Sequence, residues 1–224
     1  MNINTTYTKI ITGEDLMETA QHGSTLYPFQ FYYEDLSVFD FNCIEWHWHT
    51  ELEFIYIESG TVTLWIGEDQ FHLTEGNGVF INTKVLHRLY SPSKALIPNF
   101  VFMPSFIAPC DSLIYQKYIL PIISSSLPFL VFHKKVCWQA KVLSIMRQII
   151  SAQDSVLSKE LLTSSLLQNL WLEIFENTDI SYQEEHKDLS TASQARLQLM
   201  LQFTHGVSHW MTLQNRQWSV KVPL

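Results

Sequence analysis

Between Lys9 and Lys84 the chain has no lysine or arginine, while thirteen aspartates and glutamates lie there, from Glu14 to Glu75. A segment with that balance repels phosphate, which argues against a nucleotide or nucleic-acid site in its first two-fifths. The 224 residues carry 14 Lys and Arg against 22 Asp and Glu, a formal net charge of −8. Cysteine is scarce as well. Cys43, Cys110 and Cys137 form neither a CxxC pair nor an even framework, so reduced thiols are expected. No apolar run reaches the roughly 18 residues of a membrane span, and the N-terminal stretch lacks the basic start and apolar core of a signal peptide. The expected location is the cytoplasm, with no membrane partner. There is no GxSxG elbow and no phosphate-binding glycine loop; GNG at 76–78 reads as a turn.

What the sequence holds in quantity is apolar and aromatic: 46% hydrophobic and 13% aromatic residues, with only 16% charged. Such a chain can bury a sizeable core, which excludes disorder and low complexity. Phe54 to Ile57, Thr61 to Ile66, Gln70 to Leu73, Val79 to Asn82 and Asn99 to Met103 read as strands, with Gly60, Gly67, Gly76 and Gly78 as turn residues between them. Short, evenly spaced strands predict an antiparallel sandwich or small barrel. After Pro104 the period changes. Asp111 is placed to cap a helix carrying Leu113, Ile114, Tyr118 and Ile119, which Pro121 stops or kinks. Residues 124–132 read as a loop and an extended piece. Trp138 to Ile150, and then Leu157 to Phe175, repeat apolar residues at three and four, which predicts an αα-hairpin. Residues 179–194 are polar enough to be a linker, and Ala195 to His205 read as one more amphipathic helix.

The most specific local pattern is Glu45-Trp46-His47-Trp48-His49-Thr50-Glu51-Leu52-Glu53. On extended backbone His47 and His49 share a face, and Trp46 and Trp48 point the other way. Glu53 opens the next strand, and His87 follows two strands on. Three imidazoles and a carboxylate suit a divalent metal such as Zn, Fe, Mn or Ni. The same four side chains serve equally as hydrogen-bonding pocket lining. His72 is a weaker extra candidate; His22, His133, His186, His205 and His209 are scattered and read as structural or solvated. Should the pocket take a sugar, Trp46, Trp48, Tyr56, Trp65 and Phe80 are the aromatic residues available for stacking.

HxH, Glu after three residues, Gly after six, and a later Gly followed by His resemble the two signature stretches of the cupin superfamily, which implies a double-stranded β-helix barrel. Two positions depart from it: Phe41 stands where the first motif has Gly, and Asn82 where the second has Pro. Such departures are common in non-catalytic relatives. Residues 47–60, GNGVFINTKVLHRL at 76–89 and DSLIYQKYILPI at 111–122 together resemble the effector-binding and dimerisation half of AraC/XylS-type transcription regulators, and ARLQLMLQFTHGVSHWMTL at 195–213 resembles the start of their DNA-binding half.

That resemblance implies a mainly β fold with α elements: a cupin barrel over 1–108, a helical dimerisation region over 109–178, a linker over 179–194 and a DNA-binding remnant over 195–224. It implies a small-molecule effector, sugar-like or similarly polar, a homodimer, and an N-terminal segment, Thr5 to Phe31, that folds over the barrel mouth or forms an edge strand. After Ala195 only Arg196, Arg216 and Lys221 are basic, so the expectation is a truncated, non-enzymatic regulator that cannot bind DNA alone. DNA enters only if the C-terminal half were complete. Two rivals stand beside it: a metal-dependent cupin enzyme (a dioxygenase or isomerase), and an interaction protein forming inactive heterodimers with full-length regulators.

Overall fold

The computed structural model describes residues 2–178, so the expected linker and the helix Ala195 to His205 lie outside the described residues. Among the described residues nine strands form two antiparallel sheets: β1 (Phe29–Asp35), β2 (Cys43–His47), β3 (Leu52–Tyr56), β4 (Thr61–Ile66), β5 (Asp69–Thr74), β6 (Gly78–Ile81), β7 (His87–Tyr90), β8 (Leu96–Phe102) and β9 (Phe129–Phe132). One sheet runs β1-β8-β3-β6-β9 and the other β2-β7-β4-β5. All five strands expected from the sequence are present within three residues at each end. The extended piece near 129 becomes β9, which pairs with β6 and so returns the chain to the five-stranded sheet after the first helical stretch.

Alternation along β3 divides the interior. Leu52, Phe54 and Tyr56 join a core shared with the helices, where Phe80, Phe100, Phe102 and Phe132 also pack. Ile55, with the following Ile57, joins Val62, Leu64, Ile66, Leu73, Val79, Ile81 and Leu89 between the sheets. Because both faces of β3 are covered, all five of its residues are buried.

The outer layer consists of α1 (Leu120–Ser124), α2 (Cys137–Ala152) and α3 (Lys159–Asn177). A π-helical turn, Tyr115–Ile119, leads into α1. Pro121 therefore does not stop the helix: it sits in the first turn of α1, where a missing N–H costs little, and the change of hydrogen-bond register comes just before it. The cap is also displaced from the expected Asp111, since the Ser112 hydroxyl accepts the Tyr115 N–H at 3.1 Å. α2 and α3 form the expected hairpin. On α3 the buried face is Thr163, Leu166, Leu167, Leu170, Trp171 and Ile174. Leu157 (96% exposed) and Leu161 (76% exposed), expected on the apolar stripe, face outward instead.

The two departures from the cupin pattern have physical counterparts. Phe41, at the glycine position, has φ 58° and ψ 22°, and its ring is 90% exposed. The backbone still turns left-handed, now at the expense of a Cβ contact. Asn82, at the proline position, is buried and donates from Nδ2 to the carbonyls of Ile122 and Leu127, at 3.1 and 2.9 Å, tying the barrel to the segment that leads into β9. Gly60 is needed where it stands: at φ +88°, a Cβ would lie 2.7 Å from the Lys94 carbonyl oxygen.

A left-handed non-glycine residue costs about 1–2 kcal/mol, and glycine returns roughly half of the relief as chain entropy. Phe41→Gly is therefore expected to raise stability by about 1 kcal/mol, read as a higher midpoint in urea unfolding with an unchanged slope.

Candidate functional site

The barrel interior is apolar except at one end. β2 pairs with β7 so that His47 lies opposite His87, across a bulge between Ile44 and His47, and their rings stand 4.1 Å apart. His49 follows in the link to β3, where its carbonyl accepts the Lys84 N–H at 2.8 Å. Glu53 reaches the same point from the other sheet, being the inward neighbour of Leu52 and Phe54 on β3. The four ligand atoms of His47, His49, Glu53 and His87 lie within 4.8 Å of one another, and all four side chains are buried.

The second ring nitrogens fix how the imidazoles present themselves. Each Nδ1 faces a backbone carbonyl: His47 that of Glu45 at 2.8 Å, His49 that of Glu51 at 3.3 Å, and His87 that of Val85 at 2.9 Å. A carbonyl only accepts, so each Nδ1 carries the proton and each Nε2 is left to face inward. His49 Nε2 and His87 Nε2 then stand 3.3 and 3.1 Å from the Glu53 carboxylate. Lone pairs that close to a carboxylate require a positive charge between them, supplied by protons or by a divalent metal. Three neutral imidazoles and one carboxylate, oriented by outer hydrogen bonds, fit such a metal. Although burial raises the Glu53 carboxyl, hydrogen bonds and charge from His49 and His87 hold it well below its ordinary range. Burial, reinforced by its two imidazole neighbours, lowers His47.

Beside this cluster is a cavity of about 30 Å³, room for about one water molecule. Besides His47, His49 and Glu53, its polar walls come from Tyr7, Glu18, His22, Tyr32, Glu34 and Asn99. The N-terminal segment supplies three of them because it lies across the barrel mouth. The Asn4 N–H donates to the Tyr33 carbonyl at 2.8 Å, while Trp48 donates its N–H to the Leu16 carbonyl and its indole N–H to that of Asp15. Both expectations for Thr5 to Phe31 are thus realised in different parts: a strap up to about His22, and then the edge strand β1.

Several residues differ from expectation. None of Trp46, Trp48, Tyr56, Trp65 or Phe80 lines the cavity; the aromatic walls are Tyr7 and Tyr32. Trp65 lies instead under the Arg88 guanidinium, 4.9 Å away. His72 is exposed on β5, beside the Thr63 hydroxyl and away from the cluster. His22, set aside as scattered, is buried in the cavity wall, with its Nδ1 2.9 Å from the Tyr32 hydroxyl. His186, His205 and His209 lie outside the described residues. Only contacts far apart in sequence place His22, Tyr7 and Glu34 here, and no motif marks them.

Glu34 is the unusual carboxyl. It accepts from the Tyr7 hydroxyl and, at 2.9 Å, from Asn99 Nδ2, both neutral donors. Burial pushes it up to about 7, against the lowering effect of those hydrogen bonds and with Glu53 and Glu18 adding to the rise. A proton retained in the folded chain but lost near pH 4.5 on unfolding stabilises the fold fully at low pH. That contribution, about 3 kcal/mol, fades as pH rises through about 7. Glu34→Gln is expected to remove it: between pH 5 and 8 the parent should lose roughly 2.5 kcal/mol more than the variant in chemical unfolding. Equal slopes in the two proteins would contradict this.

Residues 43–97 match the family described as a cupin domain. The chain is 23% identical over 200 residues to the uncharacterized HTH-type transcriptional regulator YdeC of Bacillus subtilis, covering 87% of this chain and 67% of that protein. Among solved structures, apo ToxT from Vibrio cholerae superposes with a TM-score of 0.52 at 12% identity, over 79% of this chain and 65% of ToxT, which is a likeness of fold. A cupin-2 domain protein from Shewanella frigidimarina aligns over 36% of this chain and 81% of its own, at 20% identity and a TM-score of 0.30. Residues 43–97 are thus a cupin domain, in a chain that is similar to an HTH-type transcriptional regulator and shares its fold with ToxT.

Proposed function

We propose that this chain is the effector-sensing and dimerisation part of an AraC-type regulator, and that it does not bind an operator alone. The observation that carries the reading is one polar cavity in an otherwise apolar barrel, closed by the N-terminal segment, in a chain similar to a transcriptional regulator. In this reading residues 1–108 sense, with β9 completing their sheet, and 109–178 dimerise; 179–194 link them to 195–224, which resemble the start of a DNA-binding half. The effector is a small polar metabolite that meets His47, His49, Glu53 and His87 or their neighbours. The exposed Leu157 and Leu161 support dimerisation, because a second copy would remove them from water. Among the described residues no helix is long and apolar enough to cross a membrane.

Sedimentation of the 224-residue chain should give a dimer that Leu161→Glu converts to monomer without loss of helix content. In a gel shift with the DNA upstream of its own coding sequence, the same chain should give no specific complex. A salt-sensitive, sequence-specific shift would sink the second half of the proposal.

A metal-dependent cupin enzyme is the second reading, favoured by the three imidazoles and one carboxylate. When bound, the metal would supply Lewis-acid and positive charge at Glu53. Protein purified without an affinity tag should contain about one divalent ion per chain, and His47→Ala should lose most of it. Absence of metal from the parent would leave pocket lining as the role of the four residues and remove the enzyme reading.

A further inference from the structure

The two ends of the cavity are electrostatically unlike. At one end the Glu53 carboxylate faces His49 and His87, and in the wall Glu18 lies 3.4 Å from His22 Nε2. At the other end Glu34, fully buried on β1, has only the Tyr7 hydroxyl and the Asn99 amide as partners. No Lys or Arg is among the residues lining the cavity. A buried carboxyl with neutral partners alone is costly to ionise, and a cation delivered to it would remove most of that cost. One of its two partners is exchangeable. Tyr7 belongs to the N-terminal segment, whereas Asn99 is fixed on β8, inside the five-stranded sheet. His22 is 7% exposed, lines the same space, and its Nε2 makes no hydrogen bond of good geometry, so the wall holds a further polar atom without a full partner.

Size points the same way. While Tyr7, Ile10, Glu18 and His22 are in place the space is about 30 Å³, too small for any metabolite. An effector entering here must displace part of the segment that closes the mouth, and Tyr7 occupies the position against the Glu34 carboxyl. A carboxylate or phosphate ligand would meet Glu18, Glu34 and Glu53 with no lysine or arginine among the described lining residues, and the imidazoles of His49 and His22 already face Glu53 and Glu18. A polyol would find acceptors but no aromatic platform among the five residues expected to provide one.

Resting on the sensing reading above, we propose that the effector is a small organic cation, a primary or secondary ammonium compound, whose nitrogen replaces the Tyr7 hydroxyl on the Glu34 carboxylate. The N-terminal segment and the effector then compete for one position. Displacing that segment opens the cavity to the effector, and Glu34 selects ammonium over alcohol and carboxylate of the same shape.

The test is calorimetric titration of the full chain in phosphate buffer, which avoids amine buffers, with ethanolamine, ethylene glycol and glycolate, and with propylamine, propanol and propionate. The amines should bind in the millimolar range, as suits so few non-hydrogen atoms, and the alcohols and acids at least about tenfold more weakly. Glu34→Gln, verified as folded by its melting curve, should weaken amine binding by about tenfold or more. Tyr7→Phe, which withdraws the competing hydroxyl and leaves the carboxylate in place, should strengthen it. Equal binding of amine and alcohol, or amine binding that is indifferent to Glu34→Gln, overturns the proposal. If only a polyol or a carboxylate binds, the amine class falls and the barrel remains an effector pocket. If none of the six binds, the amine class falls, and the sensing reading is decided separately by the sedimentation and gel-shift results.

Discussion

Burial of β3 on both faces is the constraint on which the rest of the structure depends. Leu52, Phe54 and Tyr56 commit one face to the helices, and Ile55 commits the other to the space between the sheets. With a period of two, Glu53 has no solvent-facing alternative. Its carboxylate is carried inward by its neighbours' apolar burial, and the surroundings must then supply positive charge or donors. The pairing of β2 with β7 answers this by setting His47 opposite His87 on the facing sheet. Cluster and fold are therefore consequences of one register. A slip of β3 by a single residue would put Glu53 among the phenylalanines and expose the imidazoles' acceptors to an apolar wall.

Much of this was legible in the sequence because it is local. The HxH pair needs only strand alternation, and the Trp46 and Trp48 side chains point away from the imidazoles, Trp48 packing with Leu16 and Leu86 as alternation requires. The amphipathic periods of α2 and α3 are likewise local, and both helices lie within two residues of their expected limits. What was not legible comes from contacts distant in sequence. Leu157 and Leu161 satisfy the helical period but not burial: Leu157 lies in the turn before α3, and the face of α3 that joins the core shared with α2 carries Leu166, Leu170 and Ile174 instead. Glu34 belongs to an edge strand whose register with β8, Glu34 opposite Ile97, no short motif encodes. Pro121 departs from expectation for a different reason: proline's missing N–H terminates a helix only if no earlier change of register absorbs it, and the π-turn at 115–119 does so.

The same distinction explains the altered cupin positions. Glycine is favoured where φ is positive, but the fold requires the dihedral rather than the residue, and Phe41 keeps the turn while its ring stays in water. Proline at the second position would restrict one backbone angle. Asn82 instead uses three hydrogen bonds, two to the carbonyls of Ile122 and Leu127 and one from the Thr83 N–H, so the loop is held by contact with the helical layer. Rigidity that one sequence obtains within a residue is here obtained between layers, which couples the end of β6 to the region proposed to dimerise.

That coupling gives the N-terminal segment a route to the helices. Glu34 and Asn99 lie on β1 and β8, and β8 pairs with β3, whose outward Phe54 stacks on Phe100 and Phe132 in the core beneath α2. A change at Glu34 acts on the inner face of a sheet whose outer face is packed by aromatic rings against the hairpin. Close-packed layers transmit displacement poorly by bending and better by moving as rigid bodies. The segment that includes Tyr7 is held by a few backbone hydrogen bonds at the mouth, whereas the sheet is buried on both sides. On the proposed reading it is therefore the element that would yield first if Glu34 changed partner, and a signal would run from pocket to mouth before pocket to hairpin because of that difference in anchoring.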